Sequence, residues 1–218
     1  MMDEKTLLML AIGTWDTVYI TLAATFFSYV FGIIMGVILT VTRKGGITPH
    51  PLIYSCLDVV VNLTRSFPFL ILMIAVIPFT RFLVGTSIGN NATIVPLVLS
   101  AAPFVARLVE YSLIEVDHGV IEAAQSMGAS PWQIVSRVMI PEALPSLING
   151  SAVAAITILG YSAMAGAVGG GGLGKLAIMY GYNRYQTDIM ILTVILLIII
   201  VQVFQSVGNW ASHRVDKR

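Results

Sequence analysis

The sequence predicts an all-α protein, a polytopic transmembrane helical bundle of five spans. Composition and charge spacing carry this. Of 218 residues, 57% are hydrophobic and 11% are charged, whereas soluble domains carry about 25% charged residues. A soluble fold of this length cannot hide that much apolar surface, so lipid must serve as part of its solvent. No Lys, Arg, Asp or Glu occurs in 17–42, 82–106, 143–174 or 189–213, and a shorter charge-free run covers 66–80.

A spanning helix needs about 20 predominantly apolar residues, which places spans at about 17–42, 55–80, 89–109, 143–168 and 188–210 of a single membrane domain, 1–218. The first contains Gly32 and Gly36, a G-x-x-x-G pair that more often packs helices within one subunit than forms a dimer. Asp58, Arg65 and Pro68 interrupt the second, and Pro96 and Pro103 sit inside the third. Neighbouring helices can satisfy backbone groups freed by such prolines. The start, Met-Met-Asp-Glu-Lys, has no basic region and the first apolar run is long for a leader, so no cleavage is expected. A single cysteine, Cys56, excludes an intramolecular disulfide.

Five spans put the termini on opposite sides. With the N-terminus outside, Arg43, Lys44, Arg65, Arg107, Arg137, Arg214, Lys217 and Arg218 lie on or near the cytoplasmic side. Lys5, Arg81, Lys175 and Arg184 face out. Eight against four favours this orientation, and it makes the polar loop 112–142 cytoplasmic.

That loop reads as a structured elbow. Gly119 to Ser126 suits a short helix containing Glu122-Ala123-Ala124, and Gly128 can end it in a left-handed cap. Ser130 and Pro131 then open a second helix as N-cap and first helical residue. Trp132, Ile134, Val135 and Val138 give that helix an apolar face, and Pro141 and Pro145 stop the loop and begin the next span. Small residues at the tip, Ala123, Ala124, Gly128 and Ala129, permit close approach by another protein, with Glu122 available for pairing.

Glu122-Ala123-Ala124, three residues, Gly128, nine residues from 129 to 137, then Val138-Met139-Ile140-Pro141 resembles the signature of ABC importer permeases, Glu-Ala-Ala, Gly, then Ile-x-Leu-Pro. Val for Ile and Ile for Leu are the departures. The resemblance implies a type I importer permease fold. It also implies that the elbow is a coupling helix seated in a cleft of an ATPase subunit, with Glu122 facing a basic group and Gly128 making the turn. Further blocks resemble the methionine-uptake branch of that family: Arg65-Ser66-Phe67-Pro68-Phe69, Ile77-Pro78-Phe79-Thr80-Arg81, Gly85-Thr86-Ser87-Ile88-Gly89, Ala101-Ala102-Pro103-Phe104, Pro141-Glu142-Ala143-Leu144-Pro145 and Gly160-Tyr161-Ser162-Ala163-Met164. This branch implies a homodimer in a bacterial inner membrane, bound to two ATP-binding subunits that hold ATP and magnesium. An external substrate-binding lipoprotein would deliver methionine, and no cofactor would sit in this chain. No nucleic acid is implied.

Gly169 to Lys175 also fits a phosphate-loop pattern, but Leu176 follows where a hydroxyl is needed, and no strand precedes it. A tight external turn is the better reading. For the path, the fourth span holds Asn149, Ser151, Thr157, Tyr161, Ser162 and Met164. Tyr161, Ser162 and Met164 are gate or lining candidates, and Arg65 is a further one. The competing reading is packing and helix-to-helix hydrogen bonding. Arg107 and Glu110, three apart, can pair near the end of the third span, and such charges can simply anchor helices. The same scaffold could import another amino acid or small solute. An ion-coupled carrier would instead predict internal repeats and intramembrane ionisable sites. A membrane enzyme would need a clustered catalytic set, and His50, His118 and His213 are scattered.

Overall fold

The computed structural model describes residues 4–216; Lys217 and Arg218, counted above for orientation, lie outside the described residues. The chain runs α1 (Glu4–Thr42), α2 (Pro51–Ser66), α3 (Phe69–Ala75), α4 (Ile77–Val84), α5 (Asn90–Ile114) and α6 (His118–Ser126). Then follow α7 (Pro131–Ile134), a π segment (Val135–Met139), α8 (Ile140–Glu142), α9 (Leu144–Ala165) and a 3-10 turn (Gly166–Val168). It closes with α10 (Gly172–Leu176), a second π segment (Ala177–Tyr182) and α11 (Thr187–Val215).

Among the described residues, four helical stretches are long and apolar enough to cross a bilayer: α1, α5, Leu144–Val168 and α11. A fifth arises if α2 and α3 count as one broken span, because they meet at 103°. The continuous second span expected at 55–80 is therefore not one helix. Phe67, held extended at φ −76 and ψ 129, separates the halves. The cause is local: the residue before a proline is disfavoured in the helical region, and Pro68 follows. At the other end, α4 stops at Gly85 in the left-handed region, φ +79. The first helix starts at Glu4 rather than near 17, and its 39 residues measure about 58 Å. Its N-terminal turns extend beyond a hydrocarbon layer of about 30 Å.

The centre of the fold is α1 against α5. A Cβ on Gly36 would lie 2.7 Å from the Ala106 carbonyl oxygen and 2.7 Å from Val109, and one on Gly32 would lie 2.5 Å from Val105. The glycine pair thus brings two backbones together within this chain. In α5 the buried Pro96 and Pro103 stay inside an uninterrupted helix. The Gly-rich stretch is a packing turn. Side chains at Gly166, Gly170 and Gly174 would run into backbone atoms of Lys175, Ala165 and Ala163, and the Leu173 N–H donates to Thr17 Oγ1 at 2.8 Å.

Gly36→Ala should lower stability by about 1–3 kcal/mol, the cost of overpacking a close contact. Gly160→Ala should be neutral or better, since nothing lies within 4 Å of a Cβ there and alanine is the better helix former. Thermal unfolding of both purified variants in detergent checks the contrast.

Candidate functional site

The elbow is built by caps at both ends of α6 and at the start of α7. Asp117 caps α6, accepting from the Gly119 N–H at 2.7 Å. At its far end Gly128 takes φ +77. There the Gly128 N–H donates to the Gln125 carbonyl at 2.9 Å and the Ala129 N–H to the Ala124 carbonyl at 3.1 Å, the paired bonds of a glycine cap. Ser130 and Gln133 then form a reciprocal capping box around Pro131. The chain turns sharply with its backbone groups satisfied, so the tip is rigid.

Its two faces differ. Glu122, Ala123, Gly128 and Pro131 are exposed, Ala129 is half-buried and Ala124 is buried. Glu122 accepts an ion-pair contact from His118 Nδ1 at 3.2 Å, one turn back on the same surface. Ala124, Ile134, Val135 and Met139 join Val105, Val109, Leu113 and Leu147 in one apolar core. The elbow therefore rests on the same core as α5 and α9. Of the apolar face formed by Trp132, Ile134, Val135 and Val138, Ile134 and Val135 are buried and Trp132 is not. Trp132 is 74% exposed and Met127 81%, so the elbow presents two large apolar residues at its surface.

Pro145 opens α9 as expected, whereas Pro141 does not break the chain. Pro141 and Pro145 lie within helical backbone, and Ala143 and Leu147 donate to the Met139 and Ala143 carbonyls at 2.9 Å each. Proline offers no N–H, so a helix of regular period would leave the carbonyl of Arg137 unpaired at Pro141. The chain widens to a π segment just before it, with Ile140 donating back to Val135. The elbow thus passes into α9 through nearly continuous helix.

The path candidates separate. Tyr161 stacks on Phe69 of α3, ring centroids 4.8 Å apart and planes 6° from parallel. Met164 is exposed. Ser162 is buried and donates to the Leu159 carbonyl of its own helix at 2.8 Å. Ser151 and Thr157 likewise bond their own helix. Arg65 is exposed, one residue before the end of α2.

A polar cluster inside the bundle involves other residues. Arg107, buried on α5, pairs with Glu110 at 2.6 Å, with Asp58 of α2, and donates to Asn62 Oδ1 at 3.0 Å. Asn62 also donates to Asp58 at 3.1 Å. The Arg107–Glu110 spacing was visible; the reach to Asp58 and Asn62 was missed. The available signal was that two interrupted spans carry isolated charges of opposite sign. The arrangement clips α2 to α5. Among the described residues no three His, Cys, Asp or Glu side chains are placed to hold a metal.

Known proteins share this fold. Residues 28–218 match the family described as binding-protein-dependent transport system inner membrane component. A probable D-methionine transport system permease protein from Vibrio cholerae is 50% identical over 96% of this chain and 93% of its own. The D-methionine transport system permease protein of Escherichia coli K12 is 49% identical over 76% of each chain. Among solved structures, a chain of the MetNI methionine ABC transporter in an inward-facing conformation superposes with a TM-score of 0.98. It shares 46% identity across 99% of this chain and 100% of that one. An amino acid ABC transporter crystallised with histidines shares the fold at a TM-score of 0.72 and 19% identity.

Arg107→Leu should destabilise the chain by about 3–5 kcal/mol, since it strands the buried Glu110 carboxylate. Arg107→Leu combined with Glu110→Leu should recover part of that loss. Melting temperatures of the two variants in detergent decide it.

Proposed function

This chain belongs to the family of binding-protein-dependent transport system inner membrane components, and on that footing we propose that it is the membrane-spanning subunit of an ATP-driven methionine importer. It transports rather than catalyses. ATP and magnesium sit on a partner ATPase, two copies of which serve a homodimer of this chain. An external binding protein hands over the substrate. The N-terminus lies outside and the elbow in the cytoplasm. Methionine as cargo rests on half-identical relatives that carry that name over nearly the whole chain.

The observation that carries the docking role is the exposed, capped tip around Gly128, rigidly seated on the core of α5 and α9. A partner that grips Glu122, Ala123 and the small residues through Pro131 moves these helices directly, because the backbone runs on into α9. ATP biases alternating access through contacts that differ between the partner's open and closed states. Tyr161, Met164 and Arg65 then line or gate the path: Tyr161 ties α9 to α3 beyond the 103° break. Non-helical backbone at membrane depth is tolerated where it lines a cavity. Ser162 contributes from behind, holding its helix.

Gly128 distinguishes docking from folding. A Cβ there meets nothing within 4 Å but must adopt φ +77, a strain of about 1 kcal/mol. Gly128→Ala should therefore leave a folded, partly active protein. Gly128→Trp should remain in the membrane yet lose most ATP-coupled uptake or release the ATPase. Full transport by Gly128→Trp in proteoliposomes would sink the docking role. For cargo, membranes containing this chain with its ATPase and binding protein should accumulate labelled methionine, and excess unlabelled histidine or glutamine should not compete. Equal competition by these would reassign the substrate.

A further inference from the structure

A second polar site lies where the turn after α1 faces the elbow. A cavity of about 200 Å³ opens there, lined by Arg43, Thr40, Ile47, His118, Gln125 and Met139 among others. The lining contains basic and neutral donors and no carboxylate. Arg43 is half-buried, and its Nε is buried with no hydrogen-bond partner among the described residues. Thr40 is already committed, donating to the Gly36 carbonyl at 2.8 Å. Of the lining residues, His118 contacts the exposed Glu122 carboxylate, Nδ1 to Oε1, at 3.2 Å.

A buried guanidinium donor left unpaired costs free energy unless something occupies it. Depth indicates what does. Arg43 and exposed Lys44 end the charge-free run 17–42, so they sit at headgroup level. Basic pockets at that depth recognise phosphate-bearing headgroups, and arginine's fork matches phosphate oxygens.

We propose that this cavity binds a phosphate-bearing anion between the α1–α2 turn and α6, its guanidinium contributed by Arg43. The anion is the headgroup of an acidic phospholipid or free phosphate. Bound there, it ties the elbow to the end of α1. The membrane depth rests on the reading of this chain as a permease subunit, but the test needs no transport.

The full-length chain and its Arg43→Gln, Arg43→Lys and Lys175→Gln variants are placed in nanodiscs of phosphatidylcholine with phosphatidylglycerol, and retained lipid is counted by native mass spectrometry. Retained phosphatidylglycerol should fall about fivefold in Arg43→Gln, recover in part in Arg43→Lys and stay unchanged in Lys175→Gln. A parallel arm uses phosphatidylcholine alone with radiolabelled inorganic phosphate. Phosphate bound there, lost in Arg43→Gln and without lipid retention, assigns the site to the free anion. Thermal melting verifies that each variant is folded. Equal retention of both probes by wild type and Arg43→Gln, or retention of neither by wild type, overturns the site.

Discussion

The contact on which the rest of the chain depends is the apolar core shared by the elbow and the membrane helices. Ala124, Ile134, Val135 and Met139 from the polar segment interlock with Val105, Val109, Leu113 and Leu147 from α5 and α9. Without it the segment 115–142 would be a flexible loop, and force at its tip would be absorbed by bending. With it, the tip and the bundle move as one body. The glycine cap and the capping box remove remaining slack, because neither end of the turn leaves a backbone group to be satisfied by rearrangement.

The close α1–α5 contact serves the same end. Gly32 and Gly36 let α1 lie against the stretch of α5 that carries Val105 and Val109, so the core beneath the elbow is braced from behind. Arg107 and Glu110 occupy the same part of α5 and reach Asp58 on α2. In hydrocarbon such charges are costly unless they meet one another. Their pairing converts that penalty into a fixed register between α2 and α5. The broken partner helix α3, beyond Phe67-Pro68, is held instead by aromatic stacking on Tyr161. The two halves of the interrupted span are therefore anchored to different neighbours.

Much of this was legible in the sequence. Lengths of charge-free chain marked the membrane class, and Gly128, Ser130 and Pro131 announced the turn because their chemistry acts within a few residues. What escaped was mostly non-local. Asp58 meets Arg107 across 49 positions, and no spacing rule links residues on separate helices. The break at Phe67 had a local signal in Pro68, but a long apolar context favoured reading through it. Trp132 shares an apolar face with Ile134 and Val135, yet only the latter two are buried, because burial depends on which neighbours the fold supplies. The glycine run from Gly169 to Gly174 illustrates the opposite error to avoid. Its pattern matched a phosphate loop, while its packing against α9 and α1 explains it fully.

The π segment from Val135 to Met139 has a consequence for chain length. A π turn houses one residue more than an α turn in the same rise. Deleting one residue between Ala129 and Pro141 would let that turn close to regular helix with little change of phase, but it would leave the carbonyl four residues before the proline without a partner. The extra residue is therefore what lets the chain carry Pro141 inside nearly continuous helix, and it ties the length of this segment to the proline that follows.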